Sequence, residues 1–398
     1  MNDHIATGFI REITPRNLLS FGPDQKPIEL RPLNVLIGPN ASGKSNLIEA
    51  INLMRNAPRD LQEVTRKGGG VQEWICKFSR ENSASVELVL DQATALLRHA
   101  LVFSSRGQSF VVVDETIKDD KPPSPFDYLG LPVLQTHYGY ANDRPVLRVE
   151  GGQLRALEMD EVNQGQSILA QRRDPDSYPK LAWLASSYSR IRVYREWPFG
   201  RNSIFRTPQP ADNRNDVLEE DFSNLGLYLN RLKTRFPAVH QEILAGLRDL
   251  YDGFTDYNVL VEGGSVQVFF TELTASFPAT RLSDGTLRYL CLLAILCNPE
   301  PPPVICIEEP ELGLHPDLIP NLAQLMRKAS LQSQLIVATH SDILVDALSD
   351  TPESVLVCSK TNGLTEMRRL SADALSEWLK KYKLGQLWTM GEIGGTRW

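Results

Sequence analysis

GPNASGKS, residues 38–45, stands between an apolar run, LNVLI (33–37), and NLIEAINLM (46–54), whose apolar residues recur at helical spacing. Strand, glycine loop and helix in that order form the setting in which G-x-x-x-x-G-K-S cradles phosphate. Gly38 and Gly43 allow a tight loop whose backbone N–H groups converge on phosphate oxygens. Lys44 sets a cation against the outer phosphates, and Ser45 offers its hydroxyl to Mg2+. The helix that follows turns its positive N-terminal end toward the same anion. Gly38, Pro39, Asn40, Ala41, Ser42, Gly43, Lys44, Ser45 and Asn46 are therefore the expected nucleotide-binding residues.

The chain around this loop has an ordinary globular composition. Its 398 residues, 42% hydrophobic and 23% charged, suffice for two cores or one elaborated domain. A net charge of −7 argues against a whole-protein electrostatic grip on DNA or RNA, while leaving room for a local basic groove. Cys76, Cys291, Cys297, Cys306 and Cys358 form no CxxC and no zinc spacing, and they read as reduced core residues of a cytoplasmic protein. MNDHIATGFIREIT carries no apolar signal core. The longest apolar stretch, around Leu287–Cys297, is too short to cross a bilayer. No membrane association is expected.

Strands are expected at Phe9–Ile13 and Asn34–Ile37, with a helix over Leu47–Met54. Short strands at Ser85–Leu90, Arg98–Ser104, Ser109–Asp114 and Val146–Glu150 are separated by turn-rich pieces, including DDKPPSP and Gly151-Gly152. They suggest a meander beside the first parallel strands. From about residue 155 to 255 the texture becomes helical, with Val217–Lys233 and Ala238–Tyr251 split at Phe236-Pro237. Val259–Glu262 and Ser265–Phe270 form a hairpin across Gly263-Gly264. Beyond 280, helix and strand alternate: Leu287–Cys297, Val304–Ile307, Leu318–Ala329, Gln334–Ala338, Asp342–Ala347 and Ser354–Cys358. Such alternation belongs to a parallel α/β sheet. No repeat and no long heptad run is present.

Val304–Ile307 reads as a buried strand and ends in Glu308-Glu309-Pro310-Glu311. Ligands in such sheets collect at the carboxyl ends of strands. Glu308 can reach a metal shell, and Glu309 can face a γ-phosphate and orient the attacking water; an EEPE cluster elsewhere would be a solvated turn. Leu282-Ser283-Asp284-Gly285-Thr286 precedes the helix at Leu287. Ser283 or Asp284 caps that helix, and Gly285 permits close backbone approach. Its N-terminus offers a second anion site, which is explained if it completes the pocket of another subunit; the plain alternative is a helix cap.

GPNASGKS, RLSDGTLR, VICIEEPELGLHP and LIVATHSD occur in the order of Walker A, signature, Walker B with D-loop, and switch histidine. Taken together they resemble the ATP-binding-cassette ATPases. The unbroken EEPELGLHP, the NLLSFGP opening and the missing coiled coil are similar to the RecF/SMC-like branch. More narrowly they resemble the stand-alone AAA ATPases of bacterial genomes, whose ending the tail LGQLWTMGEIGGTRW also resembles.

The resemblance implies an α/β P-loop NTPase of the ABC-ATPase head type, with a mixed central sheet, an antiparallel β subdomain and a helical insertion. The expected organisation is an N-terminal ATPase lobe over 1–154, a mainly helical insertion over 155–260, and a C-terminal lobe over 261–398. It also implies ATP and Mg2+ as ligands and a head-to-tail dimer, in which two ATP molecules lie between the Walker A of one copy and the signature of the other. Glu309 is cast as the catalytic base and Glu308 as the metal residue, where the wider family has Asp. Ser283, with Asp284 and Gly285, would serve the partner copy's γ-phosphate. Glu311–Leu314 would be the D-loop, His340 the γ-phosphate sensor, and His315 a cap. A glutamine contacting Mg2+ and water is expected before the signature; Gln62, Gln72 and Gln135 are candidates. Arg16, Asn17 and Phe21 are candidates for the adenine, with packing or solvated-loop roles as the alternative.

SRIRVYREWPFGRN (189–202) carries Arg190, Arg192, Arg195 and Arg201 with Tyr194 and Trp197. An ion-paired strand is the favoured reading, with Arg190 and Arg192 on one face; a nucleic-acid contact is the alternative. Three uses of ATP follow. The first is a dimeric switch controlling a separately encoded effector, such as a nuclease, in genome maintenance or phage defence. The second is a DNA-binding repair ATPase of the RecF type. The third is a transporter subunit, which the long segment before the signature argues against. No Ser-His-Asp set and no nuclease-type carboxylate cluster is evident outside the ATP motifs.

Overall fold

Apolar residues alternate with polar ones in SASVELVLD, and the burial of Ser83–Asp91 alternates in step. A strand of this kind covers a core with one face and meets solvent with the other. The computed structural model describes residues 8–93, 95–120, 136–141, 144–149, 152–198 and 200–395. Their contacts divide the chain into two units: Met1–Ile191 with Leu356–Leu370 and Ile393–Trp398, and Arg192–Val355 with Ser371–Glu392.

The first unit is built on an eight-stranded antiparallel sheet. Its order runs Ile28–Glu29, Ile10–Arg16, Ser83–Asp91, Leu96–Arg106, Ser109–Asp120, Thr136–Ala141, Arg144–Arg148, Leu154–Ala156. The first expected strand therefore joins the meander rather than a parallel core, pairing antiparallel with Ser83–Asp91 in the register Ile13↔Leu88. The longest strands extend beyond their sequence limits because their polar ends pair with each other, Arg98 reaching both Glu87 and Asp120. The same unit contains the strand Leu33–Ile37, its neighbour Val355–Thr361 and the hairpin partner Leu364–Arg369. It also holds the helices Lys44–Arg55, Leu61–Lys67, Val71–Trp74, Ile168–Gln171 and Pro179–Arg190. The sheet is fastened to the last two helices by a fully buried polar cluster. His99 bridges Tyr188 at 3.0 Å and Glu115 at 3.1 Å, and Glu115 also accepts from Ser167 and the Ile168 N–H. Gln135 and Gly151 lie outside the described residues, as do parts of the DDKPPSP turn and the last three residues of the tail.

In the second unit three parallel strands lie side by side, Arg192–Tyr194, Val304–Glu308 and Gln334–Ala338. The last of these agrees residue for residue with the sequence expectation. Helices Asp284–Leu296 and Ile319–Ala329 belong to the same unit. The first is buried from Leu287 onward and, Arg288 excepted, carries no charge there. A smaller antiparallel sheet contains the hairpin Phe254–Glu262 and Ser265–Glu272, whose turn residues Gly263 and Gly264 take φ of 57° and 76°.

One expected helix is shortened. Val217–Lys233 is helical only from Leu225, the helix running to Arg235. Phe222 instead turns its side chain into the core at φ 61° and stacks on Tyr194 and Trp197. The Asn224 side chain accepts from the Glu219 N–H and donates to the Arg214 and Val217 carbonyls. Side-chain hydrogen bonds thus replace those a helix would have made. All five cysteines are buried and none forms a disulfide. Among the described residues no helix is long and apolar enough to cross a membrane.

Candidate functional site

Leu33–Ile37 is buried at every position and delivers the chain into the glycine loop. Gly38, at φ 148°, packs so tightly that a Cβ would lie 2.2 Å from the Cys358 carbonyl oxygen. At Gly43, φ 102°, a Cβ would meet Thr365 Oγ1 at 2.1 Å. Ala41 also holds a left-handed φ of 64°. The loop is bent to a shape that only glycine fits at its two ends. Lys44, 6% exposed, folds its Nζ back to donate to the carbonyls of Gly38 (2.7 Å) and Pro39 (3.1 Å). Ser42 Oγ is buried without a hydrogen-bond partner among the described residues. The helix Lys44–Arg55 has no side-chain cap and no acid in its first turn. A helix N-terminus of this kind suits an anion.

Behind the loop runs a chain of hydroxyls. Asn46 Nδ2 donates to Ser20 Oγ at 2.5 Å. Ser20 Oγ lies 2.6 Å from Thr365 Oγ1, which donates to the Ser42 carbonyl at 2.9 Å. Because Thr365 spends its proton on Ser42, Ser20 must donate to Thr365. Asn40, Ala41 and Ser45 are exposed and Asn46 is half-buried. Phosphate oxygens fit this loop: it presents an unpartnered buried hydroxyl, a lysine held by weak carbonyl partners and an uncapped helix.

Two of the first-loop candidates have packing roles. Phe21 is fully buried, and Asn17 donates to the carbonyls of Glu81 and Ser83. Gln62 donates to the Gly165 carbonyl at 3.3 Å, and the exposed Gln72 to Gly107 at 3.4 Å.

In the second unit Val304–Glu308 is buried until its last residue. Glu308 accepts at its carbonyl from Trp197 Nε1 (2.9 Å), and its Oε1 lies 3.9 Å from Arg195 Nη2. Glu309 leaves the strand with a left-handed φ of 47°. Its N–H donates to the Ala338 carbonyl at 2.8 Å, its own carbonyl accepts from Arg288, and the residue is exposed. A non-glycine residue in this region costs on the order of 1–3 kcal/mol and persists only where neighbours enforce it.

Arg288, 1% exposed, is one such neighbour. It extends from the helix Asp284–Leu296 and stacks its guanidinium 4.2 Å from the centre of the Trp197 ring. Burial pushes its pKa down to about 10, against the pull of Glu311 and Glu309, so it remains protonated at neutral pH.

Ser283 is the cap of the helix Asp284–Leu296, its Oγ accepting the Thr286 N–H at 3.1 Å, and it is exposed. Asp284 is held by Arg206 at 2.7 Å and by the Gly200 N–H at 3.1 Å. Arg206, first of all, keeps its carboxyl below the usual range. A Cβ on Gly285 would lie 2.6 Å from the Gly313 carbonyl, so the start of the helix Asp284–Leu296 and the loop at Gly313 meet backbone to backbone. Glu311 Oε1 accepts the His340 N–H at 2.8 Å, tying the stretch Glu311–Leu314 to the exposed His340. His315 caps the short turn Pro316–Leu318, its Nδ1 accepting from the Asp317 N–H. The tail docks on this segment: Leu384 N–H donates to Ser349, and Gln386 N–H to Asp346, on and just after the helix Asp342–Asp346.

The arginine-rich stretch is committed internally. Tyr194 is buried and donates to the Leu218 carbonyl, and Trp197 lies between Phe222 and Arg288. Arg190 ends a helix and Arg192 begins a strand, so the strand alternation expected to align them does not apply. Thr365, Ser20, Arg206 and Arg288 are supporting residues that sequence reasoning missed. Only Arg288 had a local signal, a lone charge in the apolar run LRYLCLLAIL.

Residues 33–116 and 157–346, well over half of the chain, match the family model described as AAA domain, putative AbiEii toxin, Type IV TA system. No curated protein sequence matches. Among solved structures, the SMC head bound to the C-terminal winged-helix domain of ScpA is similar at TM-score 0.54 and 15% identity. The alignment covers 93% of this chain and 99% of that one. The Pyrococcus furiosus Smc head with an extended coiled coil gives TM-score 0.55 and 13% identity over 94% and 99%. The Pyrococcus yayanosii Smc head with coiled coil and joint gives 0.51 and 12% over 94% and 99%. At these identities the likeness is one of fold, that of the SMC-head P-loop ATPases. The chain thus belongs to the AAA-domain family described as putative AbiEii toxin, Type IV TA system, and has the fold of the SMC heads.

Proposed function

We propose that the chain binds and hydrolyses ATP, closes head-to-tail on a second copy when ATP is bound, and thereby controls a separately encoded effector. Phage defence or genome maintenance is the setting, and the family's description as a toxin of a Type IV TA system favours the former. The single observation that carries the enzymatic part is Glu309, an exposed carboxylate at the end of a buried strand. Its left-handed backbone is fixed by Ala338 on one side and Arg288 on the other.

Residues 1–154 and 261–398 supply the two sets of ATPase residues, with 155–260 as the insertion. Gly38–Asn46 would bind the phosphates through backbone N–H groups, Ser42 Oγ and Lys44, whose Nζ exchanges loop carbonyls for phosphate oxygens. Ser45 and Glu308 offer hard oxygen donors of the kind Mg2+ takes while keeping waters and substrate oxygens. Mg2+, when bound, neutralises charge on the transferring phosphoryl group. Glu309 would take the proton of the attacking water and His340 sense the γ-phosphate. Ser283, exposed at its helix start, would serve the nucleotide of the partner copy with Asp284 and Gly285. The buried thiols support a cytoplasmic location. The internal commitment of Tyr194 and Trp197 weighs against direct DNA binding through that stretch.

ATP turnover by the purified chain tests this. Lys44→Ala should abolish binding or turnover. Glu309→Gln should keep ATP affinity and lose at least about 100-fold in rate, the scale of general-base catalysis. Turnover at the native rate in Glu309→Gln contradicts the assignment.

A further inference from the structure

The parallel register Arg192↔Ile305, Val193↔Cys306, Tyr194↔Ile307 brings two strands to a common end, where Arg195 follows on one and Glu308 on the other. Their side chains are 26% and 20% exposed and stand 3.9 Å apart. The neighbouring pair Arg206–Asp284 is closed to 2.7 Å. Arg195 is thus close enough to offset the charge of Glu308 without clasping it.

Its backbone is fixed on both sides. The Val193 N–H donates to Glu220 Oε1 at 2.8 Å, and Trp197 is pinned to the Glu308 carbonyl and stacked on Arg288. None of the glutamines Gln62, Gln72 or Gln135 stands on this strand; the residue delivered to the acidic strand end is an arginine.

We propose that Arg195 is a further catalytic residue of the ATPase reaction, a guanidinium that offsets Glu308 until metal and nucleotide arrive and then turns to the transferring phosphoryl group. This rests on the ATPase reading above. Phosphoryl transfer spreads charge over three equatorial oxygens, and a planar guanidinium can address two of them at once. In the step itself the water oxygen bonds to the γ-phosphorus as its bond to the β,γ-bridging oxygen breaks. The water proton passes to Glu309, ADP leaves with the bridging oxygen, and Arg195 exchanges no proton. Before that step Arg195 competes with Mg2+ for Glu308, which gives its removal two effects of opposite sign.

The experiment uses the full chain with Arg195→Gln and Arg195→Lys, measuring single-turnover hydrolysis, ATP affinity, and the Mg2+ concentration that half-saturates ATP binding in the Glu309→Gln background. Arg195→Gln is expected to slow hydrolysis by about 1000-fold or more, at the lower margin of arginine contributions to phosphoryl transfer. Its ATP affinity should stay within about threefold while the Mg2+ requirement falls severalfold, because the competing cation is gone. Arg195→Lys should keep the native Mg2+ requirement and recover only part of the rate, since it restores charge without the planar fork. Hydrolysis by Arg195→Gln near the native rate overturns the proposal, as does a raised Mg2+ requirement together with a lowered thermal midpoint. If Arg195→Gln does not fold, Arg195→Lys decides: native turnover in that variant overturns the role. Failure of the ATPase reading is distinguishable, because native protein and Lys44→Ala would then be alike in neither binding nor hydrolysing ATP.

Discussion

Replacing Arg288 with Met keeps an unbranched side chain in its slot and removes the guanidinium. In the native protein that group stacks on the Trp197 ring and donates to the Glu309 carbonyl. A desolvated cation–π contact contributes about 2 kcal/mol, and a hydrogen bond from a charged donor about 1.5 kcal/mol at the lower end of its range. Against these stands the burial of the charge. The fall from 12.5 to about 10 corresponds, at about 1.4 kcal/mol per tenfold, to about 3 kcal/mol opposing the charged form. The two sides nearly cancel, as is common when a buried charge is replaced by an apolar side chain. Arg288→Met should therefore change stability by no more than about 1 kcal/mol. Turnover should respond very differently. Without Arg288 the strained Glu309 loses one of its two tethers, and a displacement of about 1 Å at a catalytic group can cost about 100-fold in rate. Chemical denaturation, ATP affinity and ATP turnover measured side by side give the answer. A loss of several kcal/mol with proportionate loss of ATP binding would show that Arg288 is there for packing. Unchanged turnover at unchanged stability would refute its hold on Glu309.

Gly43→Ala combines a φ of 102° with a Cβ 2.1 Å from Thr365 Oγ1. Backbone strain of about 1–3 kcal/mol adds to the overlap, and nucleotide affinity should fall at least about tenfold, the loss that 1.4 kcal/mol produces. Adding Thr365→Ala relieves only the overlap, so isothermal titration should show partial recovery; native affinity in Gly43→Ala alone contradicts the loop geometry. Burial, first of all, lowers the pKa of His240 below its ordinary 6.5, against the pull of Asp256. As pH falls through that range the unfolded chain takes the proton more readily than the folded one, so the site's stabilising contribution is present above about 6.5 and is lost below it. Unfolding measured from about pH 7.5 to about 5.5 should show a slope that His240→Gln reduces, and an unaltered slope counts against this origin.

Contiguous patterns made much of the fold legible. LNVLI followed by GPNASGKS, VICIE ahead of its acidic turn, QLIVA and the Gly263-Gly264 hairpin each occupy the expected element, because period and turn chemistry are local properties. The helix Pro179–Arg190 also had a signal, with Leu181, Leu184, Ala185 and Tyr188 on one face behind a proline at its first position. The strand after it was more conspicuous for its arginines. Residues 217–224 misled because their apolar spacing is helical, while Phe222 and Asn224 find better partners in the core. The site shows the same division. Phosphate loop, acidic strand end and helix cap are written in adjacent residues. The hydroxyl relay from Ser20 through Thr365 joins positions 345 residues apart and leaves no local trace. Arg195 was visible as a charge, but its meaning depends on the parallel register that sets it beside Glu308.

The most direct test of the account is the mass of Glu309→Gln in solution, by light scattering at micromolar concentration, with and without saturating ATP and Mg2+. A nucleotide-dependent doubling, abolished by adding Ser283→Arg at the exposed helix start, is the predicted result. An unchanged mass with ATP demonstrably bound would contradict the claim that two copies complete each other's site.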